Sequence, residues 1–176
     1  RNEIEKLGKG GGPYTNEAVG AENYGTISYV IESPHEAGVI WVGTDDGLVH
    51  LTTDNCETWT NVTPAGLEEC LINAIDVSPH DPATVYIATT RYKFNDHTPS
   101  LYKTNNYGKS WTKISDGIPY GAYTRVIRED EERKGLLFAG TETGIYISWN
   151  DGQDWEPFQL NLPITPITDL MIRHNN

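Results

Sequence analysis

The chain reads as all-β, a tandem of four-stranded antiparallel units, and three observations carry that reading. One turn shape occurs three times, at Thr52-Thr53-Asp54-Asn55-Cys56-Glu57-Thr58-Trp59, Thr104-Asn105-Asn106-Tyr107-Gly108-Lys109-Ser110-Trp111 and Ser148-Trp149-Asn150-Asp151-Gly152-Gln153-Asp154-Trp155. Each copy lies between two apolar, strand-like runs, the setting of a hairpin turn. Turn signals recur every ~8–12 residues without helical periodicity, which is the pattern of antiparallel sheet.

Residues 1–25 hold Gly8, Gly10, Gly11, Gly12 and Gly20 among few apolar side chains and read as loop. The first unit, 26–64, predicts strands at Thr26–Glu32, Val39–Gly43, Leu48–Leu51 and Trp59–Val62, with the first repeated turn before the last of them. The second, 65–117, predicts Ile72–Val77, Thr84–Thr89, Leu101–Thr104 and Trp111–Ile114. The third, 118–163, predicts Tyr123–Arg128, Leu136–Gly140, Ile145–Ser148 and Trp155–Leu160, and within 164–176 the run Ile167–Ile172 matches the first strand of a further unit.

The repeated turn has a physical logic. A tight hairpin needs a residue that tolerates positive φ and side chains that bond the turn's own N–H groups. Gly108 and Gly152 supply the first, while Thr52, Asp54, Thr104, Asn106, Ser148 and Asn150 supply the second. Trp59, Trp111 and Trp155 are amphipathic plates suited to covering the seam between sheets while the indole N–H reaches a carbonyl. In the first copy Cys56 stands in the glycine position, so that copy is expected to be the least regular. Gly43–Gly47 answers Gly140–Gly144, with one more residue before the first repeated turn, which predicts a bulge near His50–Leu51.

With 176 residues and 37% hydrophobic content the chain is long enough for one core, and nothing in it approaches a membrane span. The first twelve residues lack the apolar stretch of a signal peptide, and the absence of a starting methionine suggests numbering from after one. A net charge of -12 argues against nucleic acid or an anionic membrane as partner. Cys56 and Cys70 permit one disulfide or two free thiols, and Asn61-Val62-Thr63 is a glycosylation sequon relevant only to a eukaryotic secretory source.

Units repeating at 44 to 52 residues from Trp to Trp are the sequence form of β-propeller blades. The turn resembles the Asp box, or BNR repeat, of sialidases, sortilin-like receptors and family-74 xyloglucanases. Gly43–Trp59, Tyr102–Pro119 and Arg125–Pro163 resemble large bacterial BNR-repeat or sortilin-like glycosyl hydrolases, a likeness extending over 14–174. Cys56, in place of glycine, and Cys70, in place of an aromatic, depart from it. The resemblance implies a three-blade segment with the start of a fourth, hence a ring incomplete in one chain. Either the segment belongs to a longer protein or copies associate, and an apolar face on the first or last blade is expected to be covered.

In such a blade the loops joining second to third strand, and fourth strand to the next blade, form the ligand face, opposite the repeated turns. They carry Asp45, Asp46, Arg91, Tyr92, Asp96, His97, Tyr120, Tyr123, Arg125 and Glu142. The Arg91–Ser100 insertion is the longest, with the composition of a polar recognition surface. Asp45 or Asp46 with Glu142 are weak candidates for a glycosidase carboxylate pair. Arg91, Arg125 and Arg128 do not supply the arginine cluster of a sialidase, since Arg128 points to the other face of its strand. His35 and His80 occupy equivalent Ser-Pro-His turns and read as structural, His50, His97 and His174 are scattered, and no metal or cofactor is expected.

The expected function is a secreted or periplasmic binding or scaffold module that recognises a glycan or extracellular polymer. A hydrolase or lyase whose centre needs the complete ring, and a sortilin-like peptide receptor, are the alternatives.

Overall fold

The computed structural model describes residues 25–173, so the expected N-terminal loop lies, Gly25 apart, outside the described residues, as do His174 and the last two positions. Twelve strands form three antiparallel sheets of four consecutive strands each. The first holds β1 (Ile27–Glu32), β2 (Ile40–Thr44), β3 (Val49–Thr52) and β4 (Thr60–Asn61). The second holds β5 (Leu71–Val77), β6 (Val85–Arg91), β7 (Asp96–Thr104) and β8 (Thr112–Lys113). The third holds β9 (Thr124–Glu129), β10 (Leu137–Thr141), β11 (Gly144–Ser148) and β12 (Glu156–Pro157). The expected β7 begins at Leu101, and the structure extends it to Asp96, because the Arg91–Ser100 insertion folds back as a ladder in which Arg91 faces Asp96.

The middle sheet is buried on both faces, which explains the near-continuous apolar run of β6. Val85 and Ile87 point into a core shared with Trp41, Val49, Ile72 and Ile75, while Tyr86 and Ala88 point into one shared with Ile127, Leu137 and Trp155. Inner strand β5 lies between β1 and β9.

The joints between sheets repeat. The Trp111 indole N–H donates to the Val62 carbonyl at 2.7 Å, and that of Trp155 to the Ile114 carbonyl at 2.5 Å. His35 Nε2 lies 2.8 Å from the Ser78 carbonyl and His80 Nε2 2.8 Å from that of Asp130, so these histidines are stitches between neighbouring sheets. Gly43 leaves room for Ile72 of the next inner strand, where a Cβ would clash.

The repeated turns behave alike. Cys56, Gly108 and Gly152 each donate their N–H to the hydroxyl that opens the turn, at 3.1, 3.0 and 2.9 Å. Thr58, Ser110 and Asp154 donate theirs to Oδ1 of Asp54, Asn106 and Asn150. The first copy is therefore not distorted: Cys56 takes φ 72°, beside 76° and 84° for the two glycines.

Two further expectations change, and one open alternative is decided. The β2–β3 register runs unbroken from Ile40↔Thr52 to Gly43↔Val49, so no bulge lies near His50–Leu51. The extra residue is absorbed by the Asp45-Asp46-Gly47 turn, with Gly47 at φ 87°, where it breaks no ladder bond. Cys56 is exposed, Cys70 is buried, and no disulfide joins them. The run Ile167–Ile172 pairs with no strand among the described residues. It nevertheless occupies the place of the next inner strand, since Ile167 meets Gly140 as Ile72 meets Gly43, and its N–H donates to the Thr141 carbonyl at 2.9 Å.

On the first sheet, Ile27 and Val30 are each 58% exposed, whereas Ile72 and Ile75 at the matching places of β5 are fully buried. Trp59 is 43% exposed where Trp155 is 5%. The outer face of the first blade is thus apolar and open.

Candidate functional site

Antiparallel order places Tyr92–Asn95, the linker before β9 and the Glu142-Thr143 turn at one end of the sheets, and the repeated turns at the other. The β6–β7 hairpin is closed by a 3-10 turn at Tyr92–Phe94 that ends on Asn95 in the left-handed region. Asp96 fixes its base: it accepts the Thr98 N–H at 3.0 Å and pairs with Arg91 Nε at 3.3 Å. The Thr98 hydrogen bonds, more than the Arg91 charge, hold the Asp96 carboxyl below its usual range. Beneath the hairpin, buried Thr124 accepts the Ser100 N–H at 3.1 Å and donates to the Thr89 carbonyl at 2.9 Å, tying second blade to third.

Four rings gather at this end. Tyr92 stacks on Tyr123 with centroids 5.8 Å apart, and His97 lies 5.5 Å from Tyr123 and 6.1 Å from Tyr120. The Gly121 N–H donates to the His97 carbonyl at 3.0 Å, which holds the Tyr120 loop against the hairpin. Tyr120 is 71% and Tyr92 39% exposed, so the cluster meets solvent through these two rings. At its edge Arg125 donates from Nε and Nη2 to Glu142 Oε2, at 2.8 and 2.6 Å, and from Nη2 to the Tyr123 hydroxyl at 3.2 Å. Its guanidinium carbon lies 5.1 Å over the Tyr123 ring and 5.9 Å over Tyr92. Burial opposes the Arg125 charge, but the Glu142 carboxylate outweighs it and its pKa rises; burial and then Glu142 raise that of Tyr123.

The structure brings Tyr92, His97, Tyr120, Tyr123, Arg125 and Glu142 into one cluster, sets Arg91 and Asp96 at the base of the same hairpin on its other flank, and leaves the other two acids elsewhere. Asp45 accepts the Thr26 N–H at 2.9 Å within the first blade's own turn, and burial raises its pKa. Asp46 is buried and bonded by the Thr44 hydroxyl. Asp45 and Asp46 are thus engaged within one turn of the first blade and Glu142 within a turn of the third. Sequence reasoning missed Glu68, whose carboxylate lies 2.5 Å from Arg91 Nη1, and Phe94, whose ring sits 5.3 Å from the Arg91 guanidinium. Phe94 lies inside the insertion already singled out, but Glu68 carries no local signal.

On the axis Arg128 is a hub. It reaches the Tyr29 hydroxyl at 3.2 Å, the Leu170 carbonyl at 3.2 Å, Asp169 at 3.1 Å and Asp76 at 3.7 Å, beside a cavity of about 330 Å³. Burial pushes the Asp76 carboxyl up to about 6, against the Glu129 N–H bond and the Arg128 charge. Among the described residues no group of three or more His, Cys, Asp or Glu is placed to hold a metal, and no helix is long and apolar enough to cross a membrane.

No protein-family model and no curated protein matches the chain. Solved structures do. The GH74 xyloglucanase from Xanthomonas campestris superposes with a TM-score of 0.61 at 21% identity, over 76% of this chain and 20% of that one. YCF48 bound to D1 peptide gives 0.59 at 18%, over 76% and 40%. An extracellular domain assigned to a one-component system of B. thetaiotaomicron gives 0.55 at 16%, over 80% and 18%. The chain thus spans between about a fifth and two fifths of these structures. The shared feature is the fold: the chain forms three blades of a β-propeller.

Proposed function

We propose that the chain is a glycan-binding propeller module acting outside the cytoplasm. The observation that carries this is the Tyr92–Tyr123–His97–Tyr120 cluster, a partly exposed ring surface shared by the β6–β7 hairpin and the linker before β9, with polar groups at its edge. A pyranose presents an apolar C–H face and a rim of hydroxyls. Ring stacking takes the first, and Arg125, Glu142 and the tyrosine hydroxyls take the second. The fold likeness to a xyloglucanase and to an extracellular domain supports the same reading.

Hydrolysis within this chain has less support, because Glu142 is committed to Arg125 and Asp46 to Thr44. A centre completed by further blades is compatible with this, and turnover of a polysaccharide panel abolished by Glu142→Gln would favour it. An extended peptide is the second reading, favoured by the likeness to a peptide-bound propeller.

The test is affinity electrophoresis and calorimetry against neutral soluble polysaccharides and, separately, tyrosine-rich and acidic peptides. Tyr120→Ala is expected to weaken glycan binding by about fivefold without altering the melting temperature, since one stacked ring contributes ~1 kcal/mol. Peptide binding without glycan binding would replace this reading with the second.

A further inference from the structure

A second concavity, of about 240 Å³, lies on the other flank of the β6–β7 hairpin. Its wall is Arg91, Asp96, Thr98 and Tyr102 from the hairpin, Glu68 from the linker between first and second blades, and Lys113 from β8. Tyr102 packs toward the core between those blades, whereas the ring cluster faces the third, so the hairpin separates the two surfaces.

Two properties indicate what this pocket would take. Its charges balance, with Arg91 and Lys113 against Glu68 and Asp96, so a ligand bearing net charge gains little from one pair and loses to the other. Its groups also interleave. Arg91 holds both acids, with Nη1 2.5 Å from Glu68 and Nε 3.3 Å from Asp96, and Lys113 stands on the same wall. A hydroxyl, which accepts from Lys113 while donating to Glu68 or Asp96, suits donors and acceptors placed in this way.

We infer that this pocket is a second saccharide subsite, taking one neutral, hydroxyl-rich ring of the glycan whose adjoining rings lie on the Tyr92–Tyr123 platform. The inference rests on the glycan-binding reading and adds to it a place and a charge class. Arg91 and Tyr92 are consecutive, so the two surfaces adjoin across the hairpin tip. There Phe94, 39% exposed, stands beside Arg91 as the ridge the glycan crosses.

The experiment follows the Arg91 Nε–H resonance of the 15N-labelled chain, assigned by its loss in Arg91→Lys. The probes are methyl β-glucopyranoside, a neutral β-glucan tetrasaccharide and methyl glucuronide. The neutral probes are expected to shift the resonance saturably and the glucuronide is not. Glu68→Ala and Lys113→Ala, both at exposed positions, should each weaken the tetrasaccharide by about tenfold. Tyr120→Ala should weaken the tetrasaccharide while leaving the monosaccharide response of Arg91 in place. If tyrosine resonances of the platform move and that of Arg91 does not, the subsite is wrong and the glycan reading stands. A response to glucuronide alone overturns the charge class. Silence of both surfaces to every probe overturns both readings.

Discussion

Cys56 adopts φ 72° where Gly108 and Gly152 adopt 76° and 84°, so one backbone shape is imposed on a residue that pays steric strain for it. Glycine meets two needs in the other copies. It tolerates the angle, and it leaves space, since a Cβ on Gly108 would press on Val62 and one on Gly152 on Ile114 of the preceding blade. Cys56 is exposed, so only the first need remains. Cys56→Gly should relieve about 1–2 kcal/mol of strain and return part of it as unfolded-chain entropy, for a net gain of about 0.5–1 kcal/mol. Gly108→Ala should lose about 2–3 kcal/mol, because strain and overpacking add. Urea unfolding of the two variants checks the order, and a stabilising Gly108→Ala would refute it. The expected distortion of the first turn fails for the same reason: the letters show the substitution but not the missing neighbour that lets the turn keep its shape.

Blades were legible because their signals are local. Turn chemistry, alternation and the closing tryptophans each lie within a dozen residues, whereas the site is assembled across blades. Tyr92 and His97 come from a hairpin of the second sheet and Tyr123 from the linker to the third, and no spacing announces that their rings meet. Glu68 reaches Arg91 from a linker that reads as featureless. The same locality exposes what a blade lacks. Trp111 and Trp155 each donate to a carbonyl of the preceding blade, while Trp59, Ile27 and Val30 stay open. That face is expected to take another blade, of a longer protein or of a second copy. If copies associate through it, sedimentation velocity will show a concentration-dependent species that Val30→Asp removes. Val30 is already 58% exposed, so the substitution should leave the thermal midpoint nearly unchanged. A wild-type chain that remains monomeric at high concentration would show that this face does not join copies.

Across the whole molecule, the axis joins all three blades. Arg128 of the third holds Tyr29 of the first, Asp76 of the second and the Asp169–Leu170 segment. Asp76 also accepts the Glu129 N–H at 2.9 Å, so one buried carboxyl fastens two inner strands. Two effects oppose at that carboxyl: burial disfavours its charge, while Arg128 and the Glu129 N–H favour it. Burial prevails, and the group titrates at about 6 instead of 3.8. Between those values the folded chain binds the proton that the unfolded chain has released, so stability falls as pH rises. The neutral-form advantage is complete below pH 3.8 and gone above about 6, a change on the order of 3 kcal/mol. For a chain of this size that corresponds to roughly 6–12 °C in melting temperature. Carboxyls held low, such as Asp54 at about 2, act oppositely, but their contribution is lost only as pH falls below the usual carboxylate range. Asp76→Asn keeps an acceptor for the Glu129 N–H and removes the titration. Its melting temperature relative to wild type should therefore rise by several degrees from pH 4 to pH 7, most steeply between 4.5 and 6 (about the span of the Asp76 shift). Parallel melting profiles for the two proteins across that range would show that the axis tolerates the Asp76 charge and that the Arg128 pairing, not burial, governs it.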